Sequence, residues 1–244
     1  MRERKAVLLA HGTLTEDTFR IVLHAPEIAA GVEGGQFVHL QVPGFSLRRP
    51  FTVADADAET ITLIIRRQGR GTAALEQVKP GSRLAFLGPL GNGFRPLPGQ
   101  GLLLGGGIGT AALILLARRL GSCTLVMGGR SSGELWLDQV HLPPSVVIQY
   151  ASDDGSQGFA GNLVQYARKN LKPGMWVAAC GPRRMLAGLQ ELLRQRKIPG
   201  QFALEERMAC GLGACRGCTC DTVKGNALVC KDGPVFAAEE VVFS

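Results

Sequence analysis

A six-stranded antiparallel β-barrel, then a parallel-sheet α/β domain, then a small cysteine-rich domain is the architecture this sequence predicts. Three observations predict it. Six short β-branched segments separated by Gly, Pro, Asp and Glu fill residues 1–95. From about residue 100 apolar strand-like runs alternate with segments of helix length, the pattern of a parallel sheet with helices on its faces. Beyond residue 200 the stretch "MACGLGACRGCTC" (208–220) breaks both rhythms. A chain of 244 residues has room for two or three units of ordinary size, and the boundaries fall at 1–97, 98–199 and 200–244.

The barrel strands are "AVLLAHG", "FRIVLHA", "GQFVHLQV", "FTVAD", "TITLIIRR" and "RLAFLGP", with one or two helical turns at "TAALEQV". In the second unit "GLLLGGGIG" is an apolar run ending in glycines, and "TAALILLARRL" continues it as a helix. "CTLVMGG", "VVIQYAS" and "MWVAACG" read as buried strands. "AGNLVQYARKN" and "RRMLAGLQELLRQRK" read as helices, the second carrying Met185, Leu186, Leu189, Leu192 and Leu193 on one face. "KIPGQ" at 197–201 is a turn, and no internal repeat is apparent.

Composition narrows the function. Apolar residues make up 45% of the chain, enough for real cores, and the net charge is +7. The basic residues are scattered in pairs (Arg48–Arg49, Arg66–Arg67, Arg118–Arg119, Arg183–Arg184), with no basic block and little aromatic interleaving, so nucleic acid is not an expected partner. The apolar part of the opening, Ala6–Ala10, is shorter than the roughly 7–15 residues of a signal-peptide core. The longest apolar run, "AALILLA", is far short of the about 20 residues that span a bilayer. A cytoplasmic location without membrane association is expected. The seven cysteines, an odd number in a cytosolic chain, favour metal ligation over disulfides.

Cys210-x4-Cys215-x2-Cys218 followed by Cys230 has the spacing of a plant-type [2Fe–2S] site. Two irons need four thiolates, and the loop must approach closely enough for backbone N–H groups to bond the sulfurs. Gly211, Gly213 and Gly217 allow that approach and positive φ. A zinc knuckle is the alternative, but zinc prefers paired C-x2-C elements. Cys220 lies two residues past Cys218 and, in extended chain, points to the other side, so it reads as a buried bystander. Cys123 and Cys180 sit in strand-like runs outside the spacing.

Two further signals concern cofactors. "LRRPFTVAD" offers an arginine, a φ-fixing proline and a hydroxyl, and "LIIRRQGRGTAAL" offers Arg66 and a Gly69-x-Gly71-Thr72 turn whose N–H groups can meet a pyrophosphate. "GGGIGT" at 105–110 follows an apolar strand and opens a helix, the context of phosphate binding. It departs from the dinucleotide fingerprint, because Thr110 stands where the third glycine belongs. The acidic residue expected on the ribose is also replaced, by Arg130 in "MGGR". A simple Rossmann oxidoreductase is therefore a poor fit.

In their order, "RPFT", "GRGT", "GGGIGT", "DDGSQG" and "CGPRRM" resemble the ferredoxin–NADP reductase superfamily, in which a flavin barrel precedes a nicotinamide domain. With "EERMACGLGACRGC" and "VCKDGPVF" added, nearly the whole chain resembles one branch, the electron transfer subunits of NAD-dependent dihydroorotate dehydrogenases. The resemblance implies FAD contacts at Arg49, Pro50, Phe51 and Thr52, with Thr52 facing the isoalloxazine and Arg49 the phosphates. It implies that Ile64, Ile65 and Arg66 line the flavin and that Gly71 and Thr72 hold the pyrophosphate. Gly107, Ile108, Gly109 and Thr110 would meet the nicotinamide nucleotide, and Cys180 and Gly181 would sit near its ring. Arg130 leaves NADP open, since an arginine there could accept a 2′-phosphate, and the branch favours NAD.

Nicotinamide exchanges electrons two at a time and a [2Fe–2S] cluster one at a time, so FAD is expected between them. No nucleophile with a neighbouring base marks an organic-substrate pocket, and His11, His24, His39 and His141 are isolated and read as ordinary polar or core residues. The resemblance supplies a partner: a catalytic subunit with its own FMN that oxidises dihydroorotate, in a complex of two catalytic and two electron transfer subunits. A diaphorase subunit of a hydrogenase or glutamate synthase-like complex and an iron–sulfur redox sensor are the other readings. "CKDGPVF" favours the dihydroorotate branch, and no DNA-recognition element supports a sensor.

Overall fold

The computed structural model describes residues 3–243. The barrel is built from β1 (Arg4–Thr13), β2 (Thr18–His24), a short helix α1 (Pro26–Ala29), β3 (Phe37–Leu40), β4 (Arg49–Ala56), β5 (Thr60–Arg66), α2 (Arg70–Glu76) and β6 (Arg83–Leu90). Its strands run in the order β1-β2-β5-β4-β3-β6 and close through the antiparallel β1–β6 pair. Period-two alternation drives the closure: Phe19, Ile21 and Leu23 of β2 point inwards and are fully buried, whereas Arg20 and His24 point out. They meet Leu8, Val38, Leu63 and Phe86 in one core.

All four residues of β3 are buried, although a barrel strand ordinarily shows one face to water. Val38 and Leu40 belong to the barrel core, while Phe37 packs outside it against the cysteine-rich tail. The uninterrupted burial records a second layer over this wall of the barrel.

The second unit contains β7 (Gln100–Gly106), α3 (Ala111–Leu120), β8 (Cys123–Gly129), β9 (Val146–Ser152), β10 (Phe159–Ala160), α4 (Leu163–Asn170), β11 (Met175–Cys180), α5 (Arg183–Arg196) and β12 (Gly200–Ala203). The tail adds a hairpin of β13 (Thr219–Thr222) and β14 (Gly225–Leu228), then β15 (Val235–Ala237). The sheet order is β10-β9-β8-β7-β11-β12-β15, parallel throughout except for the antiparallel β15 at its edge.

Helix α3 is buried along Ala111–Ala117 because it lies between sheet and barrel, which explains why it is apolar all round. Gly121 ends it in the left-handed region at φ 68°. Asn162 starts α4, accepting from the Val164 and Gln165 N–H groups at 3.0 Å each, and Gln165 Oε1 accepts from Asn162 N–H at 2.9 Å. On α5, Leu186, Leu189, Leu192 and Leu193 form the buried face and Met185 lies partly buried beside it.

Two contacts fix the barrel against the α/β unit. Arg118 of α3 grips Asp55 of β4 with both arms, Nε to Oδ1 at 2.7 Å and Nη2 to Oδ2 at 2.6 Å, and Nη2 also donates to the His141 carbonyl at 2.6 Å. Beside it the chain at Gly34 lies so close to α3 that a Cβ there would stand 2.8 Å from the Leu116 nitrogen.

The turn expected at 197–201 is shorter than its sequence suggested. Lys197 makes the reversal at φ 53°, and the chain is already a strand at Gly200. The tail is not set apart from the sheet, since β12 and β15 extend it. Asn92, just past the barrel, holds the tail by donating to the carbonyls of Asp232 (3.2 Å) and Val235 (2.9 Å) and accepting from Val235 N–H (2.9 Å).

Candidate functional site

Strands β4 and β5 bring the barrel motifs into one cleft. Pro50, Phe51, Thr52, Ile64, Ile65 and Arg66 line it, with Ile108, Leu204, Glu205 and Met208 on the opposite side. Arg49 lies at its end, with its guanidinium 4.6 Å above the Phe45 ring and donating to the Leu47 carbonyl at 3.0 Å. The guanidinium fills the space in which a Gly71 side chain would stand, so two motifs far apart in sequence meet at one point. The Thr72 hydroxyl is used within its own turn: it donates to the Gly69 carbonyl at 3.0 Å and accepts from the N–H groups of Gln68 (2.9 Å) and Gly69 (3.2 Å). What Thr72 offers a ligand is therefore its backbone. Apolar walls, the Arg49 cation packed on the bare Gly71 backbone and the Arg66 cation, its Nε 3.6 Å from Asp17 Oδ2, suit a flat ring with a phosphate tail, and so fit FAD.

A second cleft adjoins the first, and Arg66, Gln68, Ile108 and Glu205 line both. Ile108 of the Gly107–Thr110 turn forms one side, while Gly107, at φ 56°, faces the Arg66 guanidinium and lines the neighbouring cleft that holds Arg130. Gly181 lines the other side. Gly109 and Thr110 lie underneath and buried, Gly109 pressed against the Cys180 carbonyl and Thr110 against Gly105. Cys180 is buried, and its thiol donates to Glu205 Oε1 at 3.8 Å. Burial pushes the Cys180 thiol well up, and Glu205 pushes it further. Burial also raises the Glu205 carboxyl. Both groups are thereby held towards their protonated forms beside the cleft. Glu205 was not singled out in the sequence. Its signal was the pair Glu205–Glu206 directly after the buried strand "GQFA", where an apolar chain suddenly turns acidic.

Gly106, Gly129, Arg130, Glu134 and Asp153 line a further cleft at the C-terminal ends of β7, β8 and β9. Arg130 is engaged there. Its backbone N–H donates to Glu134 Oε2 at 3.0 Å and its Nε to Glu134 Oε1 at 2.5 Å.

The cysteine loop shows its donors directly. The N–H groups of Leu212 and Cys215 reach Cys210 Sγ at 3.4 Å each, that of Gly213 reaches Cys230 Sγ at 3.1 Å, and that of Cys230 reaches Cys218 Sγ at 3.4 Å. Gly211 (φ 69°) and Gly213 (φ 78°) take the left-handed region as expected. Gly217 does not: Arg216, at φ 56°, makes that turn instead. The Leu212 and Cys215 N–H groups pull the Cys210 thiol down to about 6, favouring the thiolate. Burial, followed by Cys218, pushes Cys230 up to about 12. Among the described residues no three His, Cys, Asp or Glu side chains converge on one point. The loop instead gathers four free thiols whose sulfurs already accept from backbone N–H groups at Cys210, Cys218 and Cys230, a donor set whose chemistry fits two irons. Cys220 is buried among Glu206, Asp221, Cys218 and Arg183.

Cleft and cysteines share a wall. Phe37, Cys218, Cys220, Val229, Cys230 and Phe236 form one apolar cluster, against which Leu204 and Met208 pack. Phe37, Leu204 and Met208 also line the flavin cleft.

A family model of the oxidoreductase FAD-binding domain matches residues 5–94, and one of the iron–sulfur cluster binding domain of dihydroorotate dehydrogenase B matches residues 205–242. The chain is similar to the dihydroorotate dehydrogenase B (NAD(+)) electron transfer subunit of Geobacillus thermodenitrificans, with 37% identity over 99% of this chain and 98% of that one. That of Caldanaerobacter subterraneus is 37% identical over 86% and 87% of the two chains. A solved NADH-dependent reduced ferredoxin–NADP oxidoreductase superposes with a TM-score of 0.87 at 28% identity, covering 98% of this chain and 90% of that chain. Fold and site thus define a flavin-dependent oxidoreductase subunit with an FAD-binding barrel, a nucleotide sheet and an iron–sulfur domain. Within that class, the chain belongs to the family of electron transfer subunits of NAD-dependent dihydroorotate dehydrogenase B. No helix among the described residues is long and apolar enough to cross a membrane.

Proposed function

We propose that the protein carries electrons from the FMN of a cytoplasmic dihydroorotate-oxidising subunit to NAD+, in a complex of two catalytic and two electron transfer chains. One observation carries this reading: the flavin cleft is walled on one side by the nicotinamide turn and on the other by the apolar cluster that holds Cys218 and Cys230. Bound FAD supplies the exchange between two-electron nicotinamide and one-electron iron–sulfur chemistry.

The chain's own residues provide placement. Arg49, with the backbone at Gly71 and Thr72, receives the pyrophosphate. Pro50, Phe51, Thr52, Ile64, Ile65 and Arg66 hold the isoalloxazine. Gly107 and Ile108 face the nicotinamide nucleotide with Gly181, over a floor made by Gly109, Thr110 and Cys180. Cys210, Cys215, Cys218 and Cys230 ligate the cluster, and Cys220 does not. The Glu134 carboxylate, by occupying Arg130, supports NAD over NADP. The unit boundaries 1–97, 98–199 and 200–244 follow these three tasks.

The test uses the isolated chain and its partner. With FAD and iron loaded, the chain alone should reduce a dye with NADH and leave dihydroorotate untouched, and adding the catalytic subunit should create dihydroorotate:NAD activity. Dihydroorotate oxidation by this chain alone would overturn the proposal. Flavin binding has its own check. Arg49→Ala removes a cation whose charge-assisted bonds are worth about 1.5–3 kcal/mol, so roughly a tenfold or greater loss of FAD affinity is expected in a flavin titration. Parental affinity would remove Arg49 from the phosphate site.

A further inference from the structure

His39 is a buried polar side chain that lines neither cleft. It lies on β3, is 1% exposed, and neither Nδ1 nor Nε2 has a hydrogen-bond partner. Buried polar groups in folded proteins are almost always bonded, so an imidazole with both nitrogens unbonded calls for a reason. On β3 it alternates with the core residues Val38 and Leu40, so its side chain leaves the barrel on the side where Phe37 meets the tail.

The ring stops at the cysteine loop. A Cβ on Gly211 would stand 2.8 Å from His39 Nδ1, so a side chain at that position would displace the ring. Burial, and then the Arg48 charge, hold His39 below the usual imidazole range and favour the neutral ring with its single N–H, against the nearby Cys210 and Arg48 carbonyls. On its other side His39 is the register partner of Pro50 in the flavin motif. The residue that pairs with the flavin motif through its backbone therefore meets the loop that carries Cys210 through its ring.

We propose that His39 is a positioning residue of the iron–sulfur centre, its Nδ1–H holding the Cys210 carbonyl when the loop closes on its two irons. The peptide between Cys210 and Gly211 is planar and trans, so fixing its carbonyl towards His39 turns the Gly211 N–H the opposite way, towards the thiols. That N–H joins those of Leu212, Gly213 and Cys215, which already point at sulfur. Donors to sulfur stabilise the more negative, reduced cluster and raise its potential. Without His39 the peptide is free to rotate and one donor is lost.

The inference rests on the [2Fe–2S] reading, which the parent protein's iron content and EPR signal test first. The experiment is an EPR-monitored redox titration of the full chain with His39→Leu and His39→Asn, with bound FAD as the measure of folding. Leu fills the space without a donor, whereas the Asn amide reaches the Nδ1 position. In His39→Leu the ratio of reduced to oxidised cluster at a given potential should fall about tenfold, a midpoint about 59 mV lower for one electron, or the iron should be lost. His39→Asn should return to the parent's midpoint and iron content. If His39→Leu retains no FAD, His39→Gln, whose amide sits at the Nε2 distance, takes its place with the same expected shift. Parental midpoint and iron in the donor-less variant, or a His39→Asn variant shifted as far as His39→Leu, would overturn the proposal.

Discussion

Cys215→Ser should abolish dihydroorotate:NAD turnover in the reconstituted complex while the same preparation still passes electrons from NADH to a dye. Cys215 is the exposed member of the four thiols, and its backbone N–H donates to Cys210 Sγ. Its loss takes away one of the four thiolates that two irons require. The flavin and nicotinamide clefts are lined by β4, β5, the Gly107–Thr110 turn, the end of β11 and the Leu204–Met208 stretch, and Cys215 lines neither, so the path from NADH to flavin survives. Cys220→Ser is the matched control and should keep both iron and coupled turnover, because Cys220 lies outside the C-x4-C-x2-C spacing and none of the loop N–H groups that reach the other sulfurs reaches its own. Unimpaired coupled turnover in an iron-depleted Cys215→Ser protein would remove the cluster from the path.

Gly109→Ala should cut kcat/KM for NADH by about a hundredfold, with iron and FAD retained. The added Cβ would stand 2.6 Å from the Cys180 carbonyl oxygen and 2.9 Å from the Gly181 nitrogen. Both are backbone atoms, so no side chain can swing aside and the Gly107–Thr110 turn must move away from β11. A misplacement of about 1 Å between reacting groups costs on the order of a hundredfold in rate. Gly31→Ala, at an open position with no atom within 4 Å of the added carbon, is the control and should behave as the parent in dye reduction. Full NADH activity in Gly109→Ala would mean that the nicotinamide does not depend on this turn.

The features legible in the sequence were those that repeat or that carry chemistry in their spacing. Period-two burial on β2 and β6, the all-apolar α3 and the leucine face of α5 each follow from a local pattern. The C-x4-C-x2-C run needs nothing but its own loop to be read. The remaining features depend on contacts between distant segments. β12 and β15 are too short to show a period, and they are strands because β12 pairs with β11 and β15 closes its other side at the sheet edge. Glu205 became part of the site only when the chain after β12 was laid beside Cys180 and Arg66. His39 looked like an ordinary core residue because nothing near it in sequence hints at Gly211. The left-handed turn at Arg216 in place of Gly217 shows the limit from the other side: glycines mark where positive φ is permitted, and the loop's path decides where it is used.

The second layer over β3 also orders events in time. Translation releases Phe37, Thr52 and Ile64 well before Leu204, Met208 and Pro234, yet all six line the same flavin cleft. A nascent chain that has produced only the barrel therefore presents half a binding site and an uncovered apolar strand. The flavin cleft gains that wall only when the cysteine-rich segment folds back, so a chain stalled before Leu204 has neither the wall nor the four cysteines.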